Sequence, residues 1–337
     1  MTTIKPADPS ALRAFASRQA AVIETAMRRD LAGALTDNDP LLAEVLNYAL
    51  FGGGKRIRPL LAVLSARVCG AAGEEIYRLA AAFEYLHVAT LVHDDVIDHA
   101  RDRRGRESVA RRYGMAAAIL AGDWLHARSM HLIGRFAGSR GLDVFCSSTA
   151  GMVDGEFLQL RHVADAGMTE QQYFAVIHRK TGLLIAATCE IGALHAGAGP
   201  EQQAALATYG RKLGAAFQVI DDLLDYLGDA SSTGKKTGND FIEGKVTLPL
   251  IHTLSAAEPA AKKRLHDLLR GDRTAPGALA VVHRLIEDCH GFESARQTAE
   301  QLVAEALDTL ALFAETAEPE SLSMLGGLAL YVLARDR

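Results

Sequence analysis

The sequence predicts an all-α protein, and three observations support this fold class. Only 9 of the 337 residues are proline, so few positions would break a helix. Much of the remainder is Ala, Leu, Arg and Glu, which have high helix propensity. Apolar residues recur at helical spacing over long stretches, without any series of alternating strand patterns. We therefore predict one all-α domain over residues 1–337, a bundle of about a dozen mostly antiparallel helices around a central cavity.

Three stretches carry the clearest helical periodicity, and they cover residues 11–35, 74–98 and 201–227. Loop signals stand between such stretches: the glycines at 52–54, the segment DRRGRES at 102–108, and the Gly-rich run 228–245. Pro59 follows the glycine loop and suits the first turn of a helix. The second and third helical stretches each end in an acidic motif, which makes them the candidates for function.

Bulk properties exclude several classes of protein. The net charge of −5 and the pI of about 6.2 do not suggest a protein that binds nucleic acid. The four cysteines are scattered without a CxxC pair, which argues against a disulfide framework or a zinc site and suits a reducing compartment. They are Cys69, Cys146, Cys189 and Cys289. We find no secretory signal and no apolar run near the ~18 residues of a spanning helix, so we expect a cytoplasmic protein.

Two copies of the motif DDxxD dominate the sequence. They comprise Asp94, Asp95 and Asp98 in the first copy and Asp221, Asp222 and Asp225 in the second. Residues four apart share one face of a helix, so the outer aspartates of each copy point the same way. One copy alone could be a solvated acidic face, but both lie in apolar surroundings, where ionised aspartates need partners. Two such helices packed antiparallel would direct six carboxylates into one cavity and suit Mg²⁺ bound together with phosphate oxygens.

Basic residues near these motifs indicate an anionic ligand. Lys55, Arg56 and Arg58 follow the three glycines, and Lys with Arg suits phosphate oxygens, although the run is not a Walker A loop. Arg103 and Arg104 follow shortly after the first acidic motif. Three further lysines stand beside predicted loops, namely Lys180, Lys235 and Lys245. Each alone would be interpreted as a surface lysine, but their clustering favours a second anion that is held without metal.

These segments together resemble the trans-polyprenyl diphosphate synthases, and they occur in the family's order. The matching segments are GGGKRIRP (52–59), HDDVIDHARDRRG (93–105), GDWL (122–125), DGEFLQL (154–160), RKTG (179–182), FQVIDDLLDYLGD (217–229) and GKKTGNDFIEGKVTLP (234–249). The resemblance implies the isoprenoid synthase fold and Mg²⁺, three ions per active site. It also implies the reaction, in which isopentenyl diphosphate condenses head-to-tail onto geranyl or farnesyl diphosphate in trans geometry.

The resemblance further implies a role for each matched residue. Mg²⁺ and the allylic diphosphate would be held by the six aspartates, and Arg103 would contact the allylic diphosphate. Isopentenyl diphosphate would be held by Lys55, Arg58, His87 and Arg104, although a core histidine is the alternative for His87. The reaction centre would be lined by Lys180, Thr181, Gln218, Lys235 and Lys245. Glu156 and Gln159 also lie in the family's pattern, with a direct role left open.

The length of the product is predicted from the helix before Asp94. One helical turn rises about 5.4 Å, close to one extended isoprene unit. Ala89 and Thr90 stand where short-chain members of the family carry bulky aromatic residues, so the product tunnel should stay open, with Met130 or Phe136 as its floor. We predict a product of about C40 to C50 for ubiquinone side chains, as in the octaprenyl-to-decaprenyl branch. A short-chain synthase that makes C15 or C20 diphosphates is the alternative.

Two other interpretations fit less well. A class I terpene cyclase shares the first acidic motif, but the second DDxxD and GGGKRIRP are both intact here. A non-catalytic partner subunit would be expected to lose aspartates or basic residues, and none is lost. The family resemblance implies a homodimer, and it allows at most transient membrane contact during release of a lipid-like product.

Overall fold

The computed structural model describes residues 5–228 and 237–335, and almost all regular structure in these residues is α-helical. The all-α prediction is therefore confirmed. The chain divides into two compact units. The first comprises Met1–Cys146, Thr188–Ala204 and Phe313–Leu325, and the second comprises Ser147–Ala187, Ala205–Leu312 and Gly326–Arg337. A single domain over residues 1–337 stays a prediction.

The elements up to residue 161 begin in the first unit. They are α1 (Pro9–Ala34), α2 (Pro40–Leu50), α3 (Ile57–Val68), α4 (Glu75–Ile97), the two-residue strands β1 (Asp102–Arg103) and β2 (Arg106–Glu107), α5 (Val109–Tyr113) and α6 (Met115–Arg161). Helix α6 bends at Gly138, whose φ is 67°, and belongs to the second unit from Ser147 onward. Asp8 and Asp39 cap α1 and α2 by accepting backbone N–H bonds, and each precedes a proline that suits a first helical turn.

The remaining elements follow in chain order, and four of them, α8, α9, α15 and the 3₁₀ turn before α15, contribute residues to both units. They are α7 (Glu170–Ile177), a π-helical turn (His178–Gly182), α8 (Leu183–His195), α9 (Pro200–Leu227), α10 (Asn239–Glu243), α11 (Leu248–Ala256), α12 (Pro259–Arg270), α13 (Ala278–Asp288), α14 (Gly291–Thr309), a 3₁₀ turn (Leu310–Phe313) and α15 (Pro319–Leu333).

The three periodic stretches correspond to α1, α4 and α9, with ends that differ by one or two residues. Pro59 lies in the first turn of α3, as predicted. The predicted loop at 102–108 instead forms an antiparallel hairpin in which Asp102 pairs with Glu107 and Arg103 with Arg106. Its turn residues Arg104 and Gly105 both have positive φ, the backbone that two-residue hairpin turns require. The run 228–245 contains α10, and residues 229–236 lie outside the described residues.

The core of the first unit is built around α4, which packs against α1 and α3. Ile23, Met27 and Leu31 lie at four-residue spacing on α1 and are buried, so this face of α1 is apolar. Helix α4 is buried on most sides, and Phe83 contacts Phe145 of α6 edge-on, with the ring centroids 6.1 Å apart. This packing holds α4 rigidly up to the first acidic motif at its C-terminal end.

A buried ion pair joins α1, α4 and α6 within the first unit. Arg128 donates to both carboxylate oxygens of Asp30, at 3.0 and 2.6 Å. The Tyr85 hydroxyl donates to the Met27 carbonyl at 3.0 Å and lies 3.2 Å from the Asp30 carboxylate. Only 1% of the Asp30 side chain is exposed, so its charge depends on these partners.

The core of the second unit includes the contact between α11 and α14. Ala295, Ala299, Val303 and Ala306 form a buried stripe of small residues on α14. Small side chains allow the two helix backbones to approach closely. Among the described residues, no helix combines the length and the apolar character that crossing a bilayer requires.

We predict that Arg128→Met lowers the free energy of unfolding by about 3 to 5 kcal/mol, because it leaves the Asp30 carboxylate buried without its counter-charge. Urea denaturation measures the change. The matched control is Asp102→Asn, which breaks the exposed Asp102–Arg111 pair while Arg111 keeps its bond to Glu107. The control should cost less than about 1 kcal/mol. Equal losses in the two variants would contradict a structural role for the buried pair.

Candidate active site

Helix α4 and its C-cap carry the first acidic motif. Asp94 and Asp95 lie on the last turn, and Asp98 follows Ile97 with its backbone N–H bonded to the Asp94 carbonyl at 2.8 Å. Asp94 is half-buried and Asp98 is exposed, whereas Asp95 is buried. Asp94 and Asp98 therefore share a face as predicted, while Asp95 is directed into the protein.

Asp95 has a specific partner in the hairpin. Arg103 donates from Nε to the Asp95 carboxylate at 2.7 Å. Burial raises the pKa of Asp95, and the bond to Arg103 opposes this rise. The sequence predicted that Arg103 contacts the allylic diphosphate. In the structure Arg103 is hydrogen-bonded to Asp95 of the first acidic motif. Because a guanidinium has five N–H donors, this bond leaves Arg103 able to contact a ligand as well.

The glycine loop brings its basic residues to two different places. Arg56 has left-handed backbone (φ 52°) and is buried, with its guanidinium 2.5 Å from Glu84 and 2.8 Å from the Leu50 carbonyl. Arg56, which the sequence grouped with the phosphate-binding residues, is thus a structural ion-pair partner. Lys55 is exposed, and the Gly53 carbonyl accepts a 2.5 Å bond from Arg104. Sequence reasoning missed Glu84, whose signal was an acid within the apolar middle of α4.

His87 lies on α4, seven residues before Asp94, and is surrounded by positive charge. Burial and then the charges of Arg58, Arg104 and Arg103 hold the pKa of His87 far below its usual range. Its imidazole is therefore neutral near pH 7. Burial also lowers the pKa of Arg58, and its Nε is buried without a hydrogen-bond partner among the described residues. The part of the first unit near His87 thus carries more positive than negative charge, which suits an anionic ligand.

The second acidic motif lies on α9 and is centred on Asp222. Its carboxylate is buried and accepts a 2.6 Å bond from the Tyr173 hydroxyl and a 2.8 Å bond from the Gln218 amide. The Thr181 hydroxyl donates to the Gln218 carbonyl oxygen at 3.0 Å. A continuous network therefore links Thr181 of the π-helical turn to Asp222. Tyr173 was not found from the sequence, because only the fold brings α7 against α9.

Asp225 and Asp240 place further carboxylates close to Asp222. Burial and the neighbouring Asp240 raise the pKa of Asp222 well above its usual range, against the bonds from Tyr173 and Gln218. The same two causes raise the pKa of Asp225 to about 6. The Asp225 carboxylate accepts the backbone N–H groups of Asn239 and Asp240, at 3.2 and 3.0 Å, and so caps α10. Among the described residues, the carboxylates in this part of the second unit exceed the cations beside them.

Asp221 is half exposed and contacts a residue near the C-terminus. Arg335 lies 3.1 Å from the Asp221 carboxylate, with its guanidinium 4.1 Å from the centre of the Phe217 ring. Nothing in the sequence pointed to Arg335, since a lone arginine has no pattern. This contact supplies one counter-charge to the motif.

Lys180 and Thr181 lie in the π-helical turn between α7 and α8. The Lys180 ammonium donates to Glu156 at 2.9 Å and to Gln159 at 3.1 Å, which gives these two residues a role in holding the lysine. Gly155 permits the approach, because a Cβ there would lie 2.6 Å from the Lys180 backbone nitrogen. Turns of this kind are frequent at functional sites.

Lys245 follows α10 and contacts two carboxylates, Asp240 at 3.3 Å and Glu243 at 2.6 Å. Burial works against its ammonium, but the two acids raise the pKa of Lys245 overall, so it stays charged. Lys235, the other lysine predicted in this segment, lies outside the described residues.

The residues predicted to set product length lie in the first unit. Ala89 is buried on α4, and the Thr90 hydroxyl bonds to the His87 carbonyl at 2.8 Å. Of the two candidates for the tunnel floor, Phe136 has the guanidinium of Arg78 5.0 Å from its ring centre, and the Met130 sulfur lies 3.8 Å from that of Cys146. Their role in product length stays a prediction.

The donor set fits Mg²⁺ held in an open site. Among the described residues, no group of three or more His, Cys, Asp or Glu side chains forms a cage for a metal ion. Mg²⁺ is usually held by one or two carboxylates, with water and substrate phosphates completing its octahedron, so no cage is required. The raised pKa values of Asp222 and Asp225 show carboxylates that lack sufficient counter-charge, and a divalent cation would supply it.

Comparisons with known proteins agree with this chemistry. A sequence profile of the polyprenyl synthetase family matches residues 39 to 286. The octaprenyl diphosphate synthase of Escherichia coli (strain K12) is 37% identical over 303 residues, which cover 90% of this chain and 93% of that protein.

Solved structures that resemble this chain are also polyprenyl synthases. A decaprenyl diphosphate synthase from Rhodobacter capsulatus has a TM-score of 0.86 and 34% identity, covering 97% of this chain and 98% of that chain. A polyprenyl synthase from Caulobacter crescentus CB15, complexed with calcium and isoprenyl diphosphate, has a TM-score of 0.86 and 31% identity, covering 99% of both chains. The resemblance predicted from the sequence is confirmed, and the chain belongs to the polyprenyl synthetase family.

Proposed function

We propose that this protein is a Mg²⁺-dependent prenyltransferase that adds isopentenyl diphosphate to an allylic diphosphate and releases a long all-trans polyprenyl diphosphate of about C40 to C50. The observation that carries the proposal is the pairing of two opposite charge imbalances. Guanidinium groups surround a neutral His87 in the first unit, and carboxylates exceed cations around Asp222 in the second. One arrangement suits a diphosphate held directly, and the other suits a diphosphate held through metal.

For the allylic diphosphate, the aspartates of the two motifs would hold Mg²⁺. The bound metal neutralises charge that develops on the departing diphosphate. Arg103 would add a direct contact while it remains bonded to Asp95. The ammonium of Lys180, held in place by Glu156 and Gln159, would face the leaving group as a fixed positive charge. Lys235 and Lys245 would complete this set.

For isopentenyl diphosphate, Lys55, Arg58 and Arg104 would bind the phosphate oxygens directly. The unpaired Nε of Arg58 is a donor that such a ligand would satisfy. His87 would act as a neutral hydrogen-bond donor, because the surrounding arginines keep its pKa low. A neutral imidazole adds a bond without further repulsion among the guanidinium groups.

The network from Thr181 through Gln218 to Asp222 would orient the second motif. It fixes the Asp222 carboxylate by hydrogen bonds, so that its position does not depend on the ligand alone. Asp225, by capping α10, would keep Lys245 at the edge of the same group of acids.

A divalent cation is part of the proposal. The Caulobacter crescentus relative is complexed with calcium together with isoprenyl diphosphate, which supports a metal requirement in this chain as well. We propose Mg²⁺, three ions per active site, because phosphate oxygens and few carboxylates are the donors that it prefers. We further propose that the enzyme works in the cytoplasm, which the scattered cysteines support, and that it contacts membranes only while releasing product.

We also propose a homodimer. Helix α6 exposes apolar residues at helical spacing, which is unusual for a free surface. In the first unit these are Met115, Ile119 and Leu120, and in the second they are Val153, Phe157 and Leu160. Sedimentation of purified protein should give the mass of two chains, and Leu120→Glu should shift it toward one. A monomeric wild type at micromolar concentration would contradict the dimer.

The defining experiment is an elongation assay with Mg²⁺, farnesyl diphosphate and labelled isopentenyl diphosphate. We expect products near C40 to C50, since Ala89 adds little bulk beside the growing chain. Products that stop at C15 or C20 would favour the short-chain alternative. Folded protein that incorporates no label with any allylic starter would overturn the proposal in favour of a partner subunit.

In the same assay, Ala89→Phe should shorten the product by several isoprene units, because an aromatic ring at this buried position of α4 would obstruct the proposed path of the growing chain. The control is Ala304→Phe on α14, which changes the same atoms in the other unit. It should leave the product distribution unchanged. An unaltered product from Ala89→Phe would show that this position does not limit chain length.

Neutralising either acidic motif should abolish most activity. We expect Asp94→Asn and Asp222→Asn each to lower kcat by at least about 100-fold and to raise the Mg²⁺ concentration needed for half-maximal rate, since metal stabilisation is worth several kcal/mol. Asp267→Asn, on the exposed side of α12, serves as the control and should retain full activity. Wild-type Mg²⁺ dependence in both motif variants would contradict metal binding by these residues.

A further inference from the structure

Arg106 belongs to the same hairpin as Arg103 and Arg104, but its side chain has a different environment. Its guanidinium lies 4.2 Å from the centre of the Tyr48 ring, and its Nη2 donates to the Tyr48 backbone carbonyl. It also helps to line a small cavity together with Arg103 and Arg104. Arg106 therefore connects the hairpin to the C-terminal part of α2, just before the glycine loop.

Gly52 is the residue against which this guanidinium packs. A Cβ atom added at Gly52 would coincide with the Nη2 and Cζ atoms of Arg106. The next two glycines, Gly53 and Gly54, have φ values of 87° and 137°, which favour glycine whatever their neighbours. Gly52 does not have positive φ, and the atoms nearest to a Cβ there all belong to the Arg106 guanidinium, which a side chain at this position would have to displace.

The loop and the hairpin are connected at a second point. Arg104, two residues before Arg106, donates to the Gly53 carbonyl at 2.5 Å. A Cβ on Gly54 would lie 2.9 Å from the same guanidinium. Two arginines of the hairpin therefore fit against three successive glycines. The sequence suggested that the glycines allow a ligand to approach the backbone closely. In the structure, arginine side chains of the protein itself lie against them.

The Tyr48 ring, against which Arg106 packs, is held in place by several contacts. Its hydroxyl donates to the Glu107 carbonyl at 2.8 Å. The guanidinium of Arg112 lies 4.7 Å from the ring centre, and the ring of Tyr113 meets it edge-on with centroids 5.4 Å apart. Because the ring is held by several contacts, Arg106 has a defined position against it.

We infer that Arg106 is a positioning residue, which fixes the glycine loop against the hairpin so that Lys55, Arg58 and Arg104 keep the spacing that a diphosphate requires. The inference rests on the proposed function, in which these three residues bind isopentenyl diphosphate. Arg106 acts through the loop, so its loss impairs the binding of isopentenyl diphosphate. The binding of the allylic diphosphate does not depend on it.

The test is a double-mutant cycle between Arg106→Gln and Gly52→Ala. Each variant separates the guanidinium from the loop, one by removing it and the other by displacing it with a methyl group. We expect each to raise the KM for isopentenyl diphosphate about tenfold, the scale of one lost charge-assisted hydrogen bond. The KM for farnesyl diphosphate and the kcat at saturating substrates should stay within about twofold of wild type. A change of about twofold is no larger than the usual scatter of additive effects and counts as no change.

Non-additivity provides the sharper measurement. The double variant should be no worse than Arg106→Gln alone, because the methyl group then occupies space that the guanidinium has left. Arg106→Lys, which keeps the charge but not the planar group, should recover only part of the loss. The control is Arg140→Gln, which removes an exposed guanidinium of the first unit on α6 and should leave the KM for isopentenyl diphosphate unchanged.

Three outcomes would overturn the inference. The first is wild-type KM for isopentenyl diphosphate in both single variants. The second is an equal loss for both substrates accompanied by a lower melting temperature, which indicates general destabilisation. The third is a double variant in which the KM for isopentenyl diphosphate rises by the product of the two single-variant factors. A wild-type protein that does not elongate at all would overturn the proposed function together with the inference, so the two failures are distinguishable.

Discussion

Buried charge without a sufficient counter-charge in the protein is the constraint on which the candidate site depends. Around His87, burial and four arginines leave the pKa of the imidazole far below its usual range. Around Asp222, burial and a neighbouring carboxylate raise the pKa values of the acids. Such arrangements are costly in an empty protein and become favourable when a ligand of opposite charge binds. The charge around His87 would suit a diphosphate bound directly, and the charge around Asp222 would suit a diphosphate bound through metal.

Ion pairs and hydrogen bonds elsewhere in the fold hold these charged residues in place. Arg56 is paired with Glu84, and Arg128 with Asp30, so each of these two cations has a counter-charge. The π-helical turn directs Lys180 toward Glu156 and Gln159, and the Thr181 hydroxyl to Gln218.

Much of the fold and part of the site could be predicted from the sequence. The periodic stretches gave α1, α4 and α9, because a continuous amphipathic pattern is a local property. The hairpin at 102–107 was missed, since two-residue strands have no period to detect. Arg56 was grouped with the residues suited to phosphate oxygens because it lies beside Lys55. Its left-handed backbone turns it toward Glu84, and only the packing of α4 reveals that partner. Tyr173 and Arg335 carry no motif that marks them, and Asp240 lies within the matched segment 234–249 but was assigned no role from the sequence.

The sequence by itself determined the family and the helical fold. It also predicted a site for a metal and two anions, because two DDxxD motifs, a basic glycine loop and a run of arginines favour those ligands by residue type and local spacing. The tertiary structure decided which of those residues are available to a ligand. Asp95 is bonded to Arg103, Asp225 caps α10, and Arg106 packs against Gly52. These assignments depend on contacts between segments far apart in the chain, and burial sets their protonation. Neither the contacts nor the burial can be read from local spacing.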